Sequence, residues 1–252
     1  MNPRPARAEI TAEFEQLAPW VFQFRIDGAD YGGRVSALGD LRIDHFRACA
    51  PEAKTILELG SLEGAHTFLL AEHAQRVLAI EGRAANLRKA RLVQRLLRAD
   101  NVEFVQANLE ETDLTSFGKF DAVLCCGLLY HLPEPWKLLE QLPRVAPKVL
   151  IWTQYADDLA ADTVRHGLRG IVRVEGGADE PLSGMSHSAF WLTLGSLIKV
   201  LTTSGYERVH VLHHDLEHAN GPAVVISAAT AAAPPAQAAP ARSSLARLFR
   251  RS

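Results

Sequence analysis

Between Thr55 and Trp152 short apolar runs alternate with longer stretches of helical spacing. Thr55-Ile-Leu-Glu-Leu59 reads as a buried strand and Gly64–Glu72 as the helix after it. Val77–Ile80 is a second strand. Asn86–Leu97 is a helix whose Leu87, Ala90, Arg91, Val93, Gln94 and Leu97 divide into an apolar and a basic side. Val102–Val105 and Phe120–Cys125 are the third and fourth strands. A helix follows over Pro135–Leu142, and Val149–Trp152 is the fifth strand. This rhythm predicts parallel strands with right-handed crossovers, an α/β doubly wound sheet. Ser188–Thr203 reads as a helix ending at Gly205. Arg208–Leu212 and Ala223–Ile226 then form a hairpin, joined through Asn220-Gly-Pro222, that closes the sheet.

The flanks differ in texture. Residues 1–50 hold a helical pattern near Ala8–Leu17, an aromatic stretch at Trp20–Phe24, a turn signal at Tyr31-Gly-Gly-Arg34 and a second helix over Leu41–Ala48 that stops before Pro51. From Ala228 to Pro240 the chain is almost all Ala and Pro and reads as disordered. The expected organisation is a cap or lid segment over 1–50, a catalytic-type α/β domain over 51–229, and a tail over 230–252.

Composition narrows the class. Hydrophobic residues make up 48% and charged residues 22% of 252, ordinary for a soluble globular chain. No apolar stretch approaches the roughly 20 residues that span a bilayer. The net charge is −2, and the tail holds Arg242, Arg247, Arg250 and Arg251 without an acid. The remainder, with 23 basic against 29 acidic residues, stands near −6, which argues against nucleic acid as partner. Three cysteines (Cys49, Cys125, Cys126) give no disulfide framework, and the N-terminus lacks the apolar core of a signal peptide, so a cytoplasmic location is expected. Leu245, Leu248 and Phe249 among the tail arginines form a short amphipathic pattern, open to a peripheral membrane contact or to a frayed basic end.

The chemistry concentrates at strand ends. In Glu58-Leu-Gly60-Ser61-Leu-Glu-Gly64 the glycines allow a tight turn, close ligand approach and free helix N–H groups, although ordinary β–α turns use the same residues. Glu81 ends the second strand, where an acid can accept from both ribose hydroxyls. Asn108, beyond the third strand, can meet an adenine amino group or simply form a turn. A dinucleotide fingerprint needs a second glycine where Leu62 stands, and that side chain obstructs a pyrophosphate.

Together with Phe120-Asp-Ala-Val-Leu-Cys-Cys-Gly-Leu-Leu-Tyr130-His131-Leu132, these positions resemble the class I S-adenosylmethionine-dependent methyltransferases over about residues 54–229. The resemblance implies a Rossmann-like, mostly parallel seven-stranded sheet with an antiparallel C-terminal strand. It implies S-adenosylmethionine as cofactor, with contacts from Glu58, Gly60, Ser61, Gly64, Glu81, Gly82, Asn108, Leu109 and Cys126. The family's usual middle glycine is missing, which implies a bulkier loop beside the methionine moiety. The Gly-Leu-Leu-Tyr-His segment is similar to the tRNA uridine carboxymethyltransferases, where an added carboxylate calls for a further cation such as Arg34.

Methyl transfer is an in-line displacement in which positioning carries most of the catalysis, and a hydroxyl or amine acceptor also needs a base. His131 is the candidate base and Tyr130 the candidate acceptor-positioning residue. Tyr31 or Arg34 can close over the cofactor, and Gly184–Trp191 can shape an acceptor pocket with His187, Phe190 and Trp191, though plain turn and core roles suit the same residues. His213, His214, Asp215 and His218 invite a metal reading, but neighbouring strand residues face opposite ways, so no metal is expected. The expected function is methylation of a small-molecule, saccharide or natural-product acceptor. The alternatives are a tRNA-nucleoside methyl or carboxymethyl transferase and a non-catalytic cofactor-binding module.

Overall fold

A computed structural model describes residues 5–231 and 233. In chain order these form α1 (Arg7–Gln16), β1 (Phe22–Ile26), β2 (Ala29–Gly32), β3 (Val35–Ser36), α2 (Leu41–Cys49), β4 (Thr55–Leu59), α3 (Ala65–Ala71), β5 (Arg76–Glu81), α4 (Ala84–Leu97), β6 (Val102–Gln106), β7 (Ala122–Cys126), α5 (Pro135–Leu139), α6 (Leu142–Val145), β8 (Lys148–Gln154), β9 (Thr163–Arg165), β10 (Leu168–Val174), β11 (Ser188–Leu192), α7 (Leu194–Ser204), β12 (Arg208–Asp215) and β13 (Ala223–Ala229).

The central sheet has the order β12-β13-β8-β7-β4-β5-β6. The pairings β8-β7-β4-β5-β6 are parallel, and β13 lies antiparallel between β8 and β12, the predicted Rossmann-like arrangement. Strands β4, β5 and β7 are buried along nearly their whole length, which is why they read as continuous apolar runs rather than as alternation. One face of the sheet packs a core around Trp136, Leu139, Phe190 and Tyr206. The other carries Phe14, Phe24, Phe46 and Phe68.

Three expectations need correction. Tyr31-Gly-Gly-Arg34 is not the turn. Tyr31 and Gly32 belong to β2, paired antiparallel with β1, and the chain reverses at Asp27-Gly28, both at positive φ. The glycine pair serves close packing instead: a Cβ on Gly33 would stand 2.2 Å from the Val21 carbonyl oxygen. Ser188–Thr203 is not one helix. Ser188–Leu192 pairs as a strand with β10, and the helix begins after Thr193, whose hydroxyl accepts the Ser196 amide at 3.2 Å. Strands β9, β10 and β11 thus form a separate three-stranded sheet, β11-β10-β9, that the sequence pattern did not reveal. Finally, Ala228 and Ala229 are part of β13 rather than of a tail; residues 232 and 234–252, including the amphipathic pattern, lie outside the described residues. No helix among the described residues is long and apolar enough to cross a membrane.

Candidate active site

The C-terminal ends of β4 to β8 open onto one cavity of about 520 Å³. In an open α/β sheet this edge is where ligands bind. Of the predicted site residues, Gly60, Ser61, Glu81, Gly82, Asn108, Leu109, Cys126, Tyr130 and His131 line it. Glu58 and Gly64 do not. Glu58 is buried beneath the loop, where the Thr67 hydroxyl donates to it at 2.5 Å, and burial pushes its carboxyl up to about 8. Gly64 caps α3 at φ +85°, and a Cβ there would come 3.0 Å from Phe68 and 3.1 Å from Phe104, so it serves helix packing.

The loop after β4 keeps the left-handed turn with leucine in place of the missing glycine: Leu62 stands at φ +50° and lines the cavity. Its neighbour Glu63 points the other way and is completely buried. At the end of β5, Glu81 accepts the Leu62 amide at 2.9 Å, the Arg83 amide at 2.9 Å and the Asn86 side chain at 3.2 Å, which fixes its carboxylate at the cavity wall. The Ser61 hydroxyl is buried without a protein partner. A fixed acid, an orphaned hydroxyl and a glycine whose Cβ would meet Leu128 at 3.4 Å suit the ribose and amino-acid parts of an adenosyl cofactor.

Tyr31 and Arg34 do not reach the cavity; Tyr31 stacks on Phe14 at 5.2 Å. The N-terminal segment supplies Arg42 instead. Asp40 caps α2 by accepting the Arg42 amide at 2.9 Å, and the same carboxylate holds the Arg42 guanidinium at 2.5 Å and His66 at 2.9 Å. Burial resists this, but the bonds from His66 and Arg42 keep Asp40 well below the ordinary carboxylate range. Arg42 lies 5.0 Å over the Trp152 ring. Arg42 belongs to no motif of the sequence, standing 18 positions before Gly60 and 22 after Trp20, and so gives no signal there; its role depends on the packing of α2 beside β8.

His131 sits in a short 3₁₀ turn after β7. Its Nδ1 lies 3.0 Å from Glu175 Oε2, which also accepts the Ser183 hydroxyl at 2.5 Å and the Gly184 amide at 2.7 Å. Burial tends to neutralise Glu175, but these donors keep its carboxyl below the ordinary value. Burial lowers His131 below 6.5 despite the carboxylate beside it. Burial also pushes the Tyr130 phenol and the Cys126 thiol up to about 12, so both keep their protons. The Tyr130 ring stands edge-on to Trp152 and Trp191 at 5.9 and 6.0 Å. Gly184, Met185 and Trp191 reach the cavity as the pocket reading anticipated. His187 does not, lying against Gly177, and Phe190 packs in the core against Trp136. His214 contacts the Tyr155 hydroxyl.

This arrangement is that of a methyltransferase, and comparison with known proteins agrees. The family described as "Methyltransferase domain" matches residues 57–148. The N-terminal domain of EvdMO1, solved in the presence of SAH and D-fucose, is 34% identical with a TM-score of 0.80, covering 90% of this chain and 98% of that one. Against the full EvdMO1 structure the identity is 32% and the TM-score 0.69; this chain spans 49% of its length. The YcgJ protein from Bacillus subtilis shares the fold alone, at 14% identity and a TM-score of 0.56. No curated protein matches the chain. The chain belongs to the class I S-adenosylmethionine-dependent methyltransferases, and S-adenosylmethionine is its cofactor.

Proposed function

We propose that the protein methylates a hydroxyl of a small saccharide-like acceptor, with His131 as the base. The observation that carries this reading is the His131–Glu175 pair at 3.0 Å on the cavity wall. A carboxylate on Nδ1 fixes the imidazole with Nε2 free to accept a proton. When bound, the cofactor supplies an electrophilic methyl group on a sulfonium that departs as a neutral thioether. Glu81 holds the ribose hydroxyls, and Arg42 meets the methionine carboxylate. Tyr130 donates its hydroxyl hydrogen bond to the acceptor, and Trp152 and Trp191 offer apolar walls to a sugar ring. As the acceptor oxygen gains its bond to carbon, its proton passes to His131.

Two further observations support a neutral, hydroxylated acceptor. Among the cavity-lining residues Glu81, Glu110 and Glu175 outnumber Arg42 and Arg83, a poor surface for a polyanion. The EvdMO1 domain, similar over nearly its whole length, was solved with D-fucose. The test is label transfer from S-adenosylmethionine to a panel of monosaccharides beginning with D-fucose. An O-methyl sugar is the expected product. Label entering tRNA while every sugar stays unlabelled would overturn the reading.

A further inference from the structure

The loop between β10 and β11 roofs the cavity and is tied to three strand ends. Beyond β6, Glu110 accepts the Ser186 amide at 3.1 Å and its hydroxyl at 2.5 Å. Beyond β7, Glu175 meets His131. Beyond β5, Arg83 Nη2 stands 2.8 Å from the carbonyl oxygens of Glu180 and Ser183, 3.1 Å from that of Gly177 and 3.2 Å from that of Gly184. Four carbonyls on one nitrogen exceed its two N–H groups, so charge as well as hydrogen bonding holds the curl. Carbonyl dipoles turned inward repel one another, and leaving such groups without a donor is costly. No carboxylate forms an ion pair with Arg83 among the described residues, so these carbonyls are what its side chain binds. Ser183 and Gly184 show the link most directly. Their carbonyls face Arg83, while their hydroxyl and amide fix Glu175.

We infer that Arg83 is a positioning residue: it holds the 175–187 loop in the curl that aims Glu175 at His131, and so couples the base to the strand end carrying the ribose acid. The consequence for turnover rests on the reading of His131 as base; the coupling itself concerns only the state of the imidazole. The charged and titratable groups facing that imidazole are Glu175, Arg83 and Tyr130, whose ring lies 4.2 Å away.

The experiment uses the full chain with ¹⁵N-labelled histidine, in the wild type and in Arg83→Met and Arg83→Lys. In the wild type His131 should carry its neutral proton on Nδ1, facing Glu175. Arg83→Met should give a mixed tautomer and raise amide exchange across residues 176–184 by about tenfold or more. Arg83→Lys should restore part of both signals. An unshifted Nδ1 tautomer in Arg83→Met overturns the inference. If that variant does not fold, a folded Arg83→Lys with a loosened loop and an unchanged tautomer does the same. Should His131→Ala transfer methyl groups at the full rate, the base assignment fails, while the tautomer measurement still decides the coupling.

Discussion

Glu63 accepts the backbone amide of Phe22 at 2.8 Å from a position with no solvent exposure. The same carboxylate takes the Val21 amide and Lys89, whose ammonium also meets the Pro19 carbonyl. A residue of the cofactor loop thereby anchors β1, which follows the N-terminal helix. Glu63→Ala leaves two part-buried amides without an acceptor and Lys89 without its carboxylate, so it should cost about 3–5 kcal/mol in urea unfolding. Glu63→Gln retains an acceptor for the amides and should cost clearly less. Equal midpoints for wild type and Glu63→Ala would contradict the anchoring role.

Glu81 has three protein donors and remains on the cavity wall. Glu81→Ala should weaken SAH binding by about 1–3 kcal/mol, the usual cost of losing charge-assisted hydrogen bonds, as read by calorimetric titration. An unchanged affinity would move the ribose elsewhere.

Glu58 should show its burial as a pH effect on stability. Its folded carboxyl titrates near 8 against an ordinary 4.5, so its contribution is fully present below about 4.5 and is lost as the pH rises toward 8. Glu58→Gln removes that loss. The advantage of Glu58→Gln in unfolding free energy should therefore grow between pH 4.5 and 8, at no more than about 1.4 kcal/mol per pH unit, and then level off, as read by urea unfolding across that range. SAH affinity should hardly move, because Glu58 does not line the cavity. A constant difference across that range would place the ionised form in the folded protein.

His131 should set the acid limb of the rate profile. Burial lowers its proton affinity, so it stays free to accept a proton below pH 6.5, and the rate should fall only under that value. His131→Ala should lower kcat by about 10²–10⁴ with SAH affinity intact. Should the acid limb persist unchanged in that variant, the titrating group lies elsewhere.

What the sequence made legible follows from how each element is stabilised. Strands β4, β5 and β7 lie buried in the middle of the sheet, so their composition announces them, and the glycines and Glu81 fall at their ends by chain order alone. β11 was hidden because Ala189-Phe-Trp-Leu192 runs directly into an apolar helix, and only the Thr193 cap separates the two periods. Arg42, Trp152, Glu175 and Trp191 meet at the cavity from four separate segments. Each is ordinary in its local setting, and only tertiary packing gives it a role. Leu62 is different: the missing glycine was visible, but its retained left-handed backbone was not.

The antiparallel insertion of β13 also orders the birth of the sheet. β12 pairs with β13, and β13 alone joins it to β8. A nascent chain emerging from the ribosome therefore presents β8 as an unsealed edge until residues 223–229 are available, and β12 waits for a later neighbour before it can dock. Such an open edge invites pairing with other chains during synthesis. β13 thus acts as a keystone, and a chain that stopped before Ala223 would lose two strands of the sheet at once.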